Sequence, residues 1–290
     1  MGVFFFGMGY SSLASARAIH QTIDASLPIA GTTRSDERAG ELADSAYRLH
    51  VFDGTAPGAT LEPDLLAASQ LILSIPPDEH GDPALNCHRD TLDRAQNLQW
   101  IGYFSTVGVY GDFGGQWIDE TAAINPLNRR SQWRVAAEEA WRDYAAARGV
   151  PLCILRLAGI YGPGRSAYDK LRDGTARRIV KPGQVFNRIH VDDIARVTAL
   201  AAERRLAGTF NLADNEPAPP QDLVSYAAEK LGVPPPPDTP FETADLTPMA
   251  RSFYSDNKRV SNRAIKQALG IDLLYPTYRH GLDAILEHTA

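Results

Sequence analysis

Four apolar residues, Val3–Phe6, run directly into Gly7-Met8-Gly9-Tyr10-Ser11-Ser12 and then into a stretch that reads as a helix over 11–24. A strand that is apolar on both faces belongs inside a sheet covered on both sides. A glycine turn between such a strand and a helix marks the first crossover of a parallel, doubly wound sheet. The first Gly permits a tight turn, and the second lets a diphosphate approach the backbone with no Cβ in the way. The third position needs only a small residue, which Ser12 supplies. The open N–H groups and positive pole of the helix then attract negative charge. Gly7, Gly9, Tyr10, Ser11 and Ser12 are therefore expected to hold the linked phosphates of a dinucleotide.

The same rhythm continues. Residues 28–32, 47–52, 71–75, 100–104 and 152–157 read as further strands, and 83–97 and 129–148 as helices. The expected fold is α/β, a Rossmann-type doubly wound parallel sheet. After residue 159 the rhythm breaks, with turn signals at Gly162-Pro163-Gly164 and Lys181-Pro182-Gly183. A helix over 192–205, a strand over 209–212 and helices over 221–231 and 261–269 follow. The expected organisation is a nucleotide-binding domain over 1–158 and a smaller C-terminal substrate domain over 159–290, with 188–212 returning to the sheet. A chain of 290 residues has room for both.

Where strand 28–32 ends, the chain reads Gly31-Thr32-Thr33-Arg34-Ser35. A site for NAD commonly carries an acid here for the ribose 2′-hydroxyl. This chain offers a guanidinium and hydroxyls, which suit a 2′-phosphate. Thr33 and Arg34 thus point to NADP ahead of NAD.

Charge narrows the partners. With 29 Lys+Arg against 35 Asp+Glu the net charge is −6, and nucleic acid or an anionic membrane would need a basic face. No apolar run approaches the roughly 18 residues of a membrane span. Neither a basic leader nor a long apolar stretch opens the chain, so a cytoplasmic protein with a small-molecule ligand is expected. A homodimer is compatible with the pattern. Of the two cysteines, Cys153 lies in an apolar run and reads as core; Cys87, beside His88, lacks the spaced partners a metal site requires.

Further landmarks recur in order: Ser74-Ile75-Pro76-Pro77, Ser105-Thr106-Val107-Gly108-Val109-Tyr110-Gly111, Arg156-Leu157-Ala158-Gly159-Ile160-Tyr161-Gly162-Pro163-Gly164 and Arg188-Ile189-His190-Val191-Asp192-Asp193, with Asn257-Lys258-Arg259 in the tail. With the glycine turn, this set resembles the extended short-chain dehydrogenase/reductase superfamily, of the NAD(P)-dependent epimerase/dehydratase type, in an atypical bacterial branch. The resemblance implies a Rossmann cofactor domain whose rim includes Ser74, Ile75 and Pro76. It also implies a Ser/Thr that bonds the substrate oxygen, a Tyr acid/base, and a Lys four residues later. Thr106 matches the Ser/Thr. The Tyr and Lys positions carry Arg130 and Arg134.

Arg134 can still bond ribose hydroxyls. Arg130 cannot replace a phenol, because a guanidinium stays protonated at any working pH. Tyr110 is the substitute proton donor expected here, followed by Asp119 or Glu120, then Tyr161 or Tyr168. The Tyr-x-x-x-Lys/Arg spacings at Tyr144–Arg148, Tyr168–Arg172 and Tyr254–Lys258 are read as coincidences. His190 and Asp192 read as a helix start, with Asp192 or Asp193 as its cap. The basic run Lys170, Arg172, Arg177, Arg178 and Lys181 is read as a solvated face or an anion contact. The implied activity is an NADP-dependent oxidoreductase acting on a small polar carbonyl or sugar-like substrate. A non-catalytic NADP sensor and an epimerase or dehydratase with tightly held cofactor stand beside it.

Overall fold

The structure, a computed structural model, describes residues 2–43 and 45–289. Its first part alternates strand and helix: β1 (Val3–Phe6), α1 (Tyr10–Thr22), β2 (Ile29–Thr33), α2 (Asp36–Glu41), β3 (Arg48–Val51), α3 (Glu62–Ala67), β4 (Gln70–Leu73), α4 (Pro83–Arg94), β5 (Trp100–Thr106) and α5 (Arg129–Arg148). A seven-stranded sheet runs in the order Gly208–Leu212, Leu152–Leu157, β5, β4, β1, β2, β3. The pairs from β5 to β3 are parallel, with Phe4 between Leu71 and Ala30. Connections run outward from β1 to β3 and then return to β4, so the direction of winding reverses between β1 and β4. In doubly wound sheets ligands bind beyond the carboxyl ends of the strands at such a reversal.

The apolar runs bury as their composition dictates. All four β1 residues are buried. Phe4, Phe6, Leu71, Leu73, Ile101, Tyr103 and Ile154 form one core with Trp141 and Tyr144 of α5. Each Phe contributes roughly 1.5–3 kcal/mol by leaving water. Cys153 is fully buried. Asp82 starts α4: its Oδ1 accepts from the N–H groups of Ala84 and Leu85 at 3.0 and 3.3 Å, ahead of Pro83 at the first helical position.

The chain clusters into two compact units, Met1–Thr106 with Arg129–Arg156 and Ile194–Phe210, and Val107–Asn128 with Leu157–Asp193 and Asn211–Ala290. The second unit is built from short parallel pairs: Gly159–Tyr161 with Arg188–His190, Arg178–Val180 with Asp238–Pro240, and Trp117–Ile118 with Arg259–Val260. Its core gathers Tyr161, Tyr168, Ala227, Tyr278, Leu282 and Ile285. No helix among the described residues is long and apolar enough to cross a membrane.

Some sequence expectations change here. The helix expected to run to residue 97 stops at Arg94, and the one expected from 192 begins at Val191. Asp192 and Asp193 therefore lie in its first turn, not at its cap. The Asp193 carboxylate serves another backbone, accepting from the N–H groups of Leu274 and Tyr275 at 2.6 and 3.0 Å.

Candidate functional site

The site is built on the carboxyl ends of β1, β2, β4 and β5. Gly7 turns the chain out of β1 with φ +97°, and a Cβ there would lie 2.9 Å from the Ile75 side chain. Only glycine takes this turn without strain. Its N–H donates to Thr32 Oγ1 at 2.9 Å, and that of Met8 donates to the Thr32 carbonyl at 2.7 Å. Gly9 is the N-cap of α1, with no side chain capping the helix and no acid in its first turn. A Cβ added at Gly9 would meet nothing within 4 Å. Ser11 and Ser12 are buried, and Ser12 Oγ has no hydrogen-bond partner, while Tyr10 is half-buried.

These features answer whether a dinucleotide fits. An uncapped positive helix end, open space above the second glycine and an unsatisfied hydroxyl beside the first turn suit a diphosphate. The residues that would hold it are Gly7, Gly9, Ser11 and Ser12.

At the end of β2, Thr33 is buried and its hydroxyl donates to the Ser35 carbonyl at 3.1 Å. Ser35 Oγ accepts from Arg38 N–H and caps α2. The hydroxyls expected around a 2′-phosphate are thus engaged locally. Arg34 is exposed and makes no ion pair among the described residues, the nearby Arg38 having taken Glu41.

At the ends of β4 and β5, Ser74 N–H donates to the Phe6 carbonyl at 2.9 Å and fixes the rim against β1. Ser74 and Ile75 are half-buried and Pro76 is exposed. Arg134 is half-buried on α5, and its Nη1 donates to the carbonyls of Ile75 (3.3 Å) and Phe104 (2.9 Å) and to Tyr103 Oη (3.0 Å). Burial drives the Tyr103 phenol above the ordinary tyrosine range, so it is a neutral acceptor for this cation. Thr106 ends β5, half-buried. Arg130 is exposed.

Sequence reading missed the group behind this rim. Ser105 Oγ donates to Glu138 Oε1 at 2.5 Å, Arg156 binds both Glu138 oxygens at 3.1 and 2.7 Å, and Arg142 adds a contact at 3.0 Å. Burial works against the Glu138 charge, but Arg156, Ser105 and Arg142 outweigh it and hold the carboxyl below its ordinary range. Two signals were available: a Glu one helical turn after Arg134, and an Arg inside the apolar strand Leu152–Leu157.

The remaining candidates lie in the second unit. Tyr110 is fully buried and donates to Asn211 Oδ1 at 2.8 Å. Asp119 accepts from Thr121, and those hydrogen bonds lower its pKa; Glu120 Oε1 accepts from Asn211 N–H at 2.8 Å. Tyr161 and Tyr168 are core residues, and burial pushes the Tyr168 phenol up to about 12. His190 is buried, and loss of hydration takes it down to about 4, a neutral imidazole. Lys258 is buried against the Gly111 carbonyl and Asp256. Of the basic run, Arg177 bonds the Asp245 carbonyl, Arg178 pairs with Asp238 and Lys181 bonds the Tyr254 carbonyl. Tyr144, in the sheet unit, packs against Trp141 in the core. The described residues hold no cluster of three or more His, Cys, Asp or Glu suited to a metal.

The NAD dependent epimerase/dehydratase family model matches residues 90–213. A solved structure of a functionally unknown conserved protein from Silicibacter pomeroyi is 45% identical and superposes with a TM-score of 0.88, over 99% of each chain. The protein YeeZ of Escherichia coli K12 is 28% identical over 222 residues, 73% of each chain. The family match and the likeness to YeeZ support an atypical, short-chain dehydrogenase/reductase-like family for this chain. A further relative, the 3-diazoavenalumate denitrifying reductase of a Streptomyces species, is 30% identical over 142 residues. That match spans 44% of this chain and 45% of the reductase, so this chain covers about half of its length.

Proposed function

We propose that the chain is an NADP-dependent oxidoreductase of the extended short-chain type acting on a small polar carbonyl or sugar-like substrate. The observation that carries this reading is the uncapped start of α1 behind Gly7, together with an exposed Arg34 at the end of β2 that makes no ion pair among the described residues. The helix start and the Ser12 hydroxyl receive the linked phosphates, and Arg34 receives the 2′-phosphate. When bound, the nicotinamide supplies the redox step. Arg134 braces the ends of β4 and β5 through one nitrogen, and its remaining N–H groups would hold the ribose. Thr106 orients the substrate oxygen. No group with the titration range of the family tyrosine stands at residue 130.

That last point also favours a second reading, an NADP-binding sensor without chemistry. Both the Tyr and Lys positions hold Arg, and Arg134 Nη1 is committed to three oxygens of the sheet.

Changing Arg34→Ala tests the cofactor reading. A charge-assisted phosphate contact is worth roughly 1.5–3 kcal/mol, so NADPH affinity should fall about 10- to 100-fold while NADH affinity holds. Equal affinity for NADPH before and after the change refutes NADP selectivity through Arg34. NADPH consumption over a panel of carbonyls and sugars then separates enzyme from sensor, since turnover of any member excludes the sensor.

A further inference from the structure

The turn that meets the phosphates is fastened to β2 through a single residue. Backbone pairing between β1 and β2 extends to Phe5 opposite Gly31. Beyond it, the Gly7 N–H turns to the Thr32 hydroxyl at 2.9 Å and the Met8 N–H to the Thr32 carbonyl at 2.7 Å. Gly31 completes the seat: a Cβ there would lie 2.6 Å from Met8 Cγ and 2.9 Å from the Phe5 carbonyl oxygen. The Met8 side chain thus occupies the space that any larger residue at 31 would take. Thr32 is 1% exposed and Met8 2%, so the accepting hydroxyl is shielded from water while the donor, Gly7, is half-buried.

We propose that Thr32 is the positioning residue of the phosphate loop, its hydroxyl setting the depth at which the loop presents the start of α1 to a diphosphate. This role rests on the nucleotide reading given above. Without the hydroxyl, the N–H of the half-buried Gly7 loses its acceptor. The loop then has to shift to find one, and the N–H groups at the helix start shift with it. The Met8 bond to the Thr32 carbonyl survives any side-chain change, so the strand pairing stays in place.

The test is a titration of the whole protein with NADPH, ADP and 2′-AMP, comparing wild type with Thr32→Val and Thr32→Ser. Valine keeps the volume and removes the acceptor; serine keeps the acceptor. NADPH and ADP, which carry a diphosphate, are expected to bind Thr32→Val about tenfold more weakly. 2′-AMP, which carries none, should bind both proteins alike, and Thr32→Ser should stay within about twofold of wild type for all three ligands. Unchanged NADPH binding by Thr32→Val overturns the proposal, as does an equal loss for all three ligands, which would indicate general loosening. A wild-type protein that binds no NADPH brings down the nucleotide reading and this role with it. If Thr32→Val does not fold, hydrogen exchange at the Gly7 amide of the wild type decides. Protection without nucleotide supports the anchor, and exchange at the rate of an open amide refutes it.

Discussion

Glu138 in the sheet unit and Asp214 in the second unit are both carboxyls about 1% exposed, and the chain accommodates them in opposite ways. Glu138 meets two guanidinium groups and a serine hydroxyl, and it keeps its charge. Asp214 Oδ1 accepts from Glu216 N–H at 3.0 Å, while Oδ2 has no partner. The guanidinium closest in character, Arg188, is given to the carbonyls of Phe186, Ala218 and Pro219. Burial therefore dominates and raises the Asp214 carboxyl to about 7, with only partial relief from Glu216 N–H and Arg188. Charge is kept where it positions the site. Glu138 sits one helical turn from Arg134 and bonds the residue before Thr106, so it fixes the rim of the candidate site. Asp214 holds together a turn, and there a neutral acid is sufficient.

The largest effect is expected from removing one partner of the buried ion pair. Glu138→Ala leaves Arg156 buried without a counter-charge, which costs about 3–5 kcal/mol. Chemical denaturation should show this loss, and a change below about 1 kcal/mol would mean that the pair is only ornamental to the fold.

The two carboxyls also respond to pH in opposite directions. Asp214 titrates near 7 when folded and near 3.8 when unfolded, so the folded chain binds the extra proton between those values. Its contribution is fully present below about pH 4, declines as pH rises to about 7, and is absent above that. The magnitude is at most about 4 kcal/mol, from three units at about 1.4 kcal/mol each. Thermal unfolding from pH 4 to 8 should therefore show a decline in wild type that Asp214→Asn flattens. Parallel profiles would place the neutral acid elsewhere. Glu138, with its lowered pKa, acts in the opposite sense, losing its contribution only as acid protonates it.

The nucleotide half of the site was legible because its signals are local. A four-residue apolar strand, a glycine turn and a helix are contiguous, and the helix Arg129–Arg148 and strand Leu152–Leu157 match their predicted bounds. The second unit was less legible for a physical reason. Two- and three-residue strands such as Trp117–Ile118 and Arg259–Val260 pair across some 140 residues and are too short to show a period. The Glu138–Arg156 pair lies only 18 residues apart, on a helix and the strand that follows it, but neither residue's local pattern names the other as its partner. The helix Tyr278–Thr289 is different: Leu282, Ile285 and Leu286 stand at helical spacing, so the sequence itself carries its signal. The short helices Asp36–Glu41 and Glu62–Ala67 were missed because six residues barely exceed one turn.

The roles of the rim residues depend on a nicotinamide nucleotide sitting against the first turn of α1. Titrating NADPH into the folded wild-type protein, followed by the heat of binding or the fluorescence of the reduced ring, tests this directly. A saturable one-to-one isotherm with NADPH favoured over NADH is the predicted result. Absence of any signal with either nucleotide, in protein shown to be folded, would contradict it.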